Sequence, residues 1–305
     1  MPGQRAKAVA VAEAQRTAFD GNSSLQRLQL AGQLRESWWA LRLAEVDLAT
    51  ARRQLAAAQQ LAEEVERRVA AGELAALDGN QASIGVQRAK RQQSLATLAW
   101  QRAEQGFALL ARGAAVPDQD EVLAAPVALE QHPLLHSLQA RSHSAQARLE
   151  QASSASNTAP ELALTYSSER DEQGAAYRDR VKLGISIPFG TESRNQARIS
   201  AANADWIEAQ SRRQLERERI AAELAGAELE LRQSREQRTL ASAELALVTQ
   251  RSAWIDKGFR LGQFDLLAQL RSQQEQLDAE AQVQRAEHER GRAISRFNQA
   301  AGVLP

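Results

Sequence analysis

The chain has no cysteine, only seven prolines in 305 residues, and aromatics at 4%. Without cysteine, neither disulfides nor thiolate metal sites can contribute. Few prolines and sixteen glycines leave little to interrupt a helix. Formal charge sums to zero, with 38 basic and 38 acidic side chains, so no basic surface argues for nucleic acid. No run approaches the roughly 20 apolar residues of a membrane-spanning helix. The opening Met1 to Lys7 is followed by no apolar core segment, so no signal peptide is present in this chain. Phosphate loops, nucleotide fingerprints and nucleophile elbows are also missing. The many carboxylates alternate with Arg and Gln on helix faces, where solvated i, i+4 pairing is their usual role. The expectation is a protein without enzymatic activity, cofactor or metal.

What remains is mostly helix, rich in Ala, Gln, Leu, Arg and Glu, a bias that marks long or coiled helices. One stretch stands apart. From Arg180 to Gly190 the chain alternates Val181, Leu183, Ile185, Ile187 and Phe189 with small or polar neighbours. Period-two alternation places these five on one face and Lys182, Gly184 and Ser186 on the other. About ten residues is the length of a tilted membrane-spanning strand. Leu162, Leu164 and Tyr166 form a partner strand, and the polar segment Asp171 to Arg178 reads as the hairpin loop. Pro188 and Gly190 close the strand.

The helices repeat. An ungapped shift of about 190 positions superimposes Leu25 on Leu215, Leu34 on Leu224, Leu41 on Leu231, Leu55 on Leu245, Gly72 on Gly262 and Phe107 on Phe297. Two copies of a long helix, a glycine turn and a return helix follow. The first copy spans residues 1–112, and residues 113–131, with Pro117 and Pro126, form a linker. The second spans 132–305: a helix to about Ser153, a β-hairpin at about 161–189, a long helix over 192–257 and a return helix over 266–301. The first long helix, from about Gln4 to Ala71, would be on the order of 100 Å long, with a kink or frayed point expected at Gly21 and Asn22.

Leu34, Leu41, Leu48, Leu55, Ala62 and Val69 recur every seven residues, beside a seam of smaller residues that includes Ala44, Ala51 and Ala58. Such paired seams let antiparallel helices pack closely. The second copy keeps the pattern with Leu224, Leu231, Leu245 and Phe259, interrupted at Arg238 and Ser252. Adjacent Trp38 and Trp39 point about 100° apart. Either one of them faces beyond the nearest helix, or both are buried against the return helix. His132, His136 and His143 fall near one helical face, but with no acid among them their spacing does not make a closed metal site, and a solvated face is the reading adopted. Gly72 is expected to cap the first long helix in the left-handed region, with Arg67 and Arg68 in its last turn.

The duplicated hairpins, the strand pair ahead of a long helix and the glycine turns together resemble the TolC family of outer-membrane efflux channels. The residues that carry this are Arg35 to Arg42, Ala71 to Leu74, His132 to Leu135, Pro160 to Leu162, Ile185 to Phe189 and Phe259 to Leu267. The strand and the Phe259 turn look most like the branch serving heavy-metal and other proton-driven exporters. The resemblance implies a homotrimer, with an outer-membrane β-barrel above an α-barrel tunnel reaching into the periplasm. It also implies a periplasmic adaptor, or membrane fusion protein, and an inner-membrane pump as partners. On this reading Val181, Leu183, Ile185, Ile187 and Phe189 face lipid. The turns carrying Gly72, Leu74 and Asp78, and Gly262, Phe264 and Asp265, form the entrance where the adaptor docks.

Some positions depart from the family pattern. An Asp six residues after the turn glycine is met by Asp78 but becomes Ala268 in the second copy, and a second constricting carboxylate becomes Arg271. A turn tyrosine becomes Phe259, leaving Asp265 as the nearby acidic substitute. The resemblance also implies a helix, two strands and a signal peptide ahead of Met1, so the chain is expected to be amino-terminally truncated. Three protomers with two strands each would supply only six strands, below the eight of the smallest barrels. The competing expectation is a soluble coiled-coil scaffold or adaptor-like protein that binds partner helices through its heptads.

Overall fold

The computed structural model describes residues 2–113, 120–125, 128–154, 161–170, 178–186 and 192–305. The elements are helix α1 (Pro2–Ala70), helix α2 (Ala76–Ala111), a 3-10 turn (Leu129–Gln131), helix α3 (Pro133–Ser154), strands β1 (Glu161–Glu169) and β2 (Arg178–Ser186), and helices α4 (Glu192–Arg260) and α5 (Leu266–Ala300). The chain is mainly α with a small β part. Pro117, Pro126, Pro160, the loop from Asp171, and Ile187, Pro188, Phe189 and Gly190 lie outside the described residues. Two compact units form, Met1–Gln26 with Ala128–Ile220, and Arg27–Val127 with Ala221–Pro305. Each draws on both sequence repeats.

In the first unit, α3 packs Leu135 and Leu138 against Ile220 of α4, flanked by Leu129 and Leu134. Gly21 does not break α1. Its bare Cα lets the backbone of Ser137 approach, and a Cβ there would meet Ser137 Cα at 3.1 Å. Neighbouring Asn22 accepts a hydrogen bond from Arg141 at 2.9 Å. The expected weak point is therefore a close contact, which glycine permits because it lacks a side chain. The histidine face also differs from expectation. His132 is buried, and its Nδ1 accepts the backbone N–H of Leu134 at 3.2 Å, capping α3, while His136 and His143 are exposed. A free N–H at a helix start draws the nearest acceptor.

β1 and β2 pair antiparallel, with Leu162 opposite Ile185, Leu164 opposite Leu183 and Tyr166 opposite Val181. Directly opposed residues share a face, so all six apolar side chains stand together. Ala163, Thr165, Lys182 and Gly184 occupy the other side.

In the second unit α1 lies between α2 and α5, and α4 covers the far side of α5. Trp38, Trp39, Leu41 and Phe107 cluster where α1 meets α2, with Trp100 beside them. Trp39 also reaches α5, where its indole Nε1 donates to Ser295 Oγ at 2.8 Å with both residues buried. A Cβ on Gly291 would lie 2.2 Å from the nearest atom of the Trp39 indole, far inside contact distance. The tryptophan pair thus joins two neighbours of α1. α5 meets α4 through Leu231, Ala293 and Ile294, and through Ala227, Phe297 and Ala301.

Ion pairs line the same seams. Glu36 of α1 accepts from Arg292 at 2.8 Å and Arg296 at 3.2 Å, and Arg296 also reaches Glu230 of α4 at 3.1 Å. Burial raises the Glu36 pKa, but the hydrogen bonds and charges of the two guanidinium groups outweigh it, holding the carboxyl below the usual 4.5. The described part of the linker is pinned as well. Glu121 meets the buried Arg35 at 2.8 Å, and the Asn298 amide donates to Val122 O at 3.0 Å while accepting from Ala124 N at 2.9 Å.

Two predictions follow from this packing. Gly291→Ala forces the indole of Trp39 to move and should lower stability by about 1 to 3 kcal/mol. Gly106→Ala, with nothing within 4 Å of the new methyl, should raise it by up to ~1 kcal/mol; equal melting temperatures for the two variants would refute the packing described. A carboxyl with a depressed folded pKa stabilises above its unfolded pKa and loses that contribution as pH falls through the folded value. The stability advantage of the native chain over Glu36→Gln should therefore be full above about pH 4.5 and vanish on further acidification, as followed by thermal unfolding across pH.

Candidate functional site

The two glycine turns are built alike. In the first, Gly72 takes φ +77°, its N–H bonds Val69 O at 3.0 Å, and Glu73 N bonds Arg68 O at 2.9 Å. In the second, Gly262 takes φ +70°, its N–H bonds Phe259 O at 3.1 Å, and Gln263 N bonds Gly258 O at 2.8 Å. Both are Schellman closures, in which a left-handed residue just past the helix satisfies its last carbonyls. Glycine is required there because a side chain disfavours positive φ.

The return helices begin with a carboxylate, but not at the same position. Asp78, in the first turn of α2, accepts the N–H of Ala75 at 3.1 Å. Asp265, at the N-cap of α5, accepts the N–H of Ala268 at 2.7 Å. These are the two halves of a capping box, one in each copy. Ala75 aligns with Asp265 and Asp78 with Ala268 at the 190-residue offset, so the second copy keeps the cap by moving the carboxylate three positions. Both acids of the expected entrance are therefore bound to helix starts.

The turns come together over one core. Leu61, Val65, Ala82, Phe259 and Leu266 are buried in it, and Leu74, Val69 and Leu270 pack against it. Phe259, where the family resemblance anticipates tyrosine, sits inside this cluster with the Arg68 guanidinium 4.8 Å from its ring centroid. Arg68 also pairs with Glu73 at 3.2 Å. Phe264 is half exposed and folds back on Gly258, whose missing side chain makes room for the ring. Gly72, Leu74, Asp78, Gly262, Phe264 and Asp265 thus share the end of one unit. The strand residues belong to the other unit, where Val181, Leu183 and Ile185, with Leu162, Leu164 and Tyr166, are each 64–72% exposed. Ile187 and Phe189 lie outside the described residues.

Sequence reasoning missed one feature. Leu240, Leu247 and Trp254 on α4, and Leu261 just past its end, recur every seven residues and are 55–69% exposed. On α2, Leu77, Ile84 and Leu98 are exposed at intervals of seven and fourteen. The spacing is present in the sequence, but exposure is set only by the fold. Among the described residues no group of three or more His, Asp or Glu side chains could hold a metal ion.

Comparison with solved structures shows what this architecture resembles. It superimposes on a membrane protein from Pseudomonas aeruginosa at TM-score 0.82 and 20% identity, covering 99% of this chain and 72% of that one. The outer membrane protein VceC of Vibrio cholerae matches at TM-score 0.81 and 15% identity over 99% of this chain and 76% of that one. The open-state MtrE outer membrane channel of Neisseria gonorrhoeae matches at TM-score 0.79 and 17% identity, over 99% and 72%. The fold is that of TolC-like outer-membrane channels. No protein-family model and no curated protein matches the sequence.

The capping arrangement is testable. Asp265→Ala should free the Ala268 amide and cost about 1 kcal/mol locally, read as roughly fivefold faster hydrogen exchange there. Adding Ala268→Asp should instead slow exchange of the amide at position 265, in the manner of the first turn. No change in exchange on either substitution would remove the carboxylates from this role.

Proposed function

We propose that the chain is a subunit of an outer-membrane efflux channel, a passive conduit made of three copies. An inner-membrane pump drives it through a periplasmic adaptor. The observation that carries this reading is the hairpin face. Six largely apolar side chains on one side of a two-stranded sheet are all exposed, within a fold shared with outer-membrane channels. Two strands alone are marginal in water. Facing lipid satisfies the side chains, and pairing each edge with a further strand of the barrel satisfies the open backbone groups.

The helical edges support assembly in the same sense. α2 and α4 are the outer helices of their unit, and each carries an exposed apolar seam with heptad intervals. Two different edges that complete each other make a head-to-tail contact, which closes into a ring when the rotation allows. Antiparallel heptad packing between α4 of one copy and α2 of the next would extend the order α2, α1, α5, α4 around a tunnel. The turns at Gly72 and Gly262 then form the periplasmic end, where the adaptor docks on Phe264 and the rims of the Schellman closures. Cargo would pass through without covalent chemistry, so no catalytic residue or cofactor is assigned.

Two substitutions separate the parts of this reading. Ile185→Asp places a charge on the lipid face and should cost about 2 to 4 kcal/mol in a barrel, abolishing membrane insertion while leaving the helices folded. Leu247→Asp should leave the hairpin intact and shift the detergent-solubilised protein from trimer to monomer in sedimentation. A chain that is monomeric without substitution, and indifferent to Ile185→Asp, would instead be a soluble helical scaffold.

A further inference from the structure

A groove of about 940 Å³ lies on α1 between α2 and α5 in the second unit. Its charged groups are unevenly balanced. Arg88 and Arg91 enter from α2, Arg271 and Arg285 from α5, against Asp47 and Asp278. Asp47 Oδ1 is held by Arg285 at 2.7 and 2.9 Å, and Asp278 Oδ1 accepts from Gln54 at 3.1 Å and Gln274 at 2.9 Å. Arg88, Arg91 and Arg271 make no ion pair among the described residues. In a chain with equal numbers of acidic and basic side chains, this is segregation of charge and not general basicity. A separate hollow along the α1–α2 hairpin has the opposite character, lined by Glu63 and Glu66 with no basic group.

A second observation points the same way. Thr50 lines the groove at 6% exposure, and its buried hydroxyl has no hydrogen-bond partner among the described residues. A buried hydroxyl without a partner makes the floor of the groove polar beneath its arginines. Guanidinium groups present forked donors that match carboxylates, sulfonates and phosphates. Leu95, Leu267 and Leu270 add apolar wall, and the volume suits a drug-sized molecule.

We propose that this groove binds organic anions, so that anionic compounds are the cargo class of the conduit. The cargo assignment rests on the channel reading; the binding itself does not.

The test uses the full chain in detergent and the fluorescent probe 8-hydroxypyrene-1,3,6-trisulfonate, followed by anisotropy. Saturable binding is expected, weakening as ionic strength rises, because exposed charges are screened by salt. The triple variant Arg88→Gln, Arg91→Gln, Arg271→Gln should bind at least about tenfold more weakly, since each pair contributes modestly and three act together. Arg271→Gln alone should give an intermediate loss, and guards against misfolding of the triple variant. Glu63→Gln with Glu66→Gln, outside the groove, should leave binding unchanged. No saturable binding to the native chain, or equal binding to the triple variant, overturns the proposal. Failure of the channel reading would appear separately, as a monomer indifferent to Ile185→Asp and Leu247→Asp.

Discussion

A helix whose apolar residues run in narrow seams cannot bury itself, and α1 must be covered on two sides at once. Trp38 and Trp39 make this concrete. Adjacent residues diverge by about 100°, so the pair ties α1 to α2 through the Phe107 cluster and to α5 through the Ser295 hydrogen bond. Gly291 is the complementary half of that contact, because the indole occupies the space of its absent side chain. Once α1 has both neighbours, the order of the remaining helices in the unit follows. α5 needs α4 on its far side, and the outer faces of α2 and α4 are left with apolar residues.

The turns show what duplication keeps. Both copies retain the glycine at positive φ and the same pair of backbone hydrogen bonds, which satisfy the last carbonyls of the long helix. The carboxylate that starts the return helix is kept in function but not in place, at Asp78 in one copy and Asp265 in the other. The backbone demand is strict, while either half of a capping box meets it. Phe259 in place of tyrosine fits the same logic: without a hydroxyl it is buried in the shared core, with Arg68 over its ring.

Local periodicity made the strands, the repeat, the glycine turns and the helix bounds readable. Val181, Leu183 and Ile185 announce a strand within a few residues, and the 190-residue offset links Gly72 to Gly262 without any structure. The misreadings depend on partners that only the folded chain brings into place. Gly21 looks like a break until Ser137 is brought against it. His132 looks solvated until the start of α3 places an amide beside its ring. The exposed α4 seam and the unpaired arginines of the groove were likewise hidden, because exposure and pairing are properties of the folded unit. Asp78 and Asp265 were found as residues, but their capping bonds required coordinates.

The Trp39–Ser295 bond also orders events in time, for it joins residues 256 positions apart. Synthesis at about 5 to 20 residues per second means that α1 waits roughly 10 to 50 s for α5 to exist. The α1–α2 hairpin can close early, from neighbouring sequence alone. Its second face, indole included, remains uncovered through most of translation. A nascent chain of this design therefore spends its longest vulnerable interval with one side of a hairpin complete and the other side still adhesive, and it is that side a holding chaperone would have to shield.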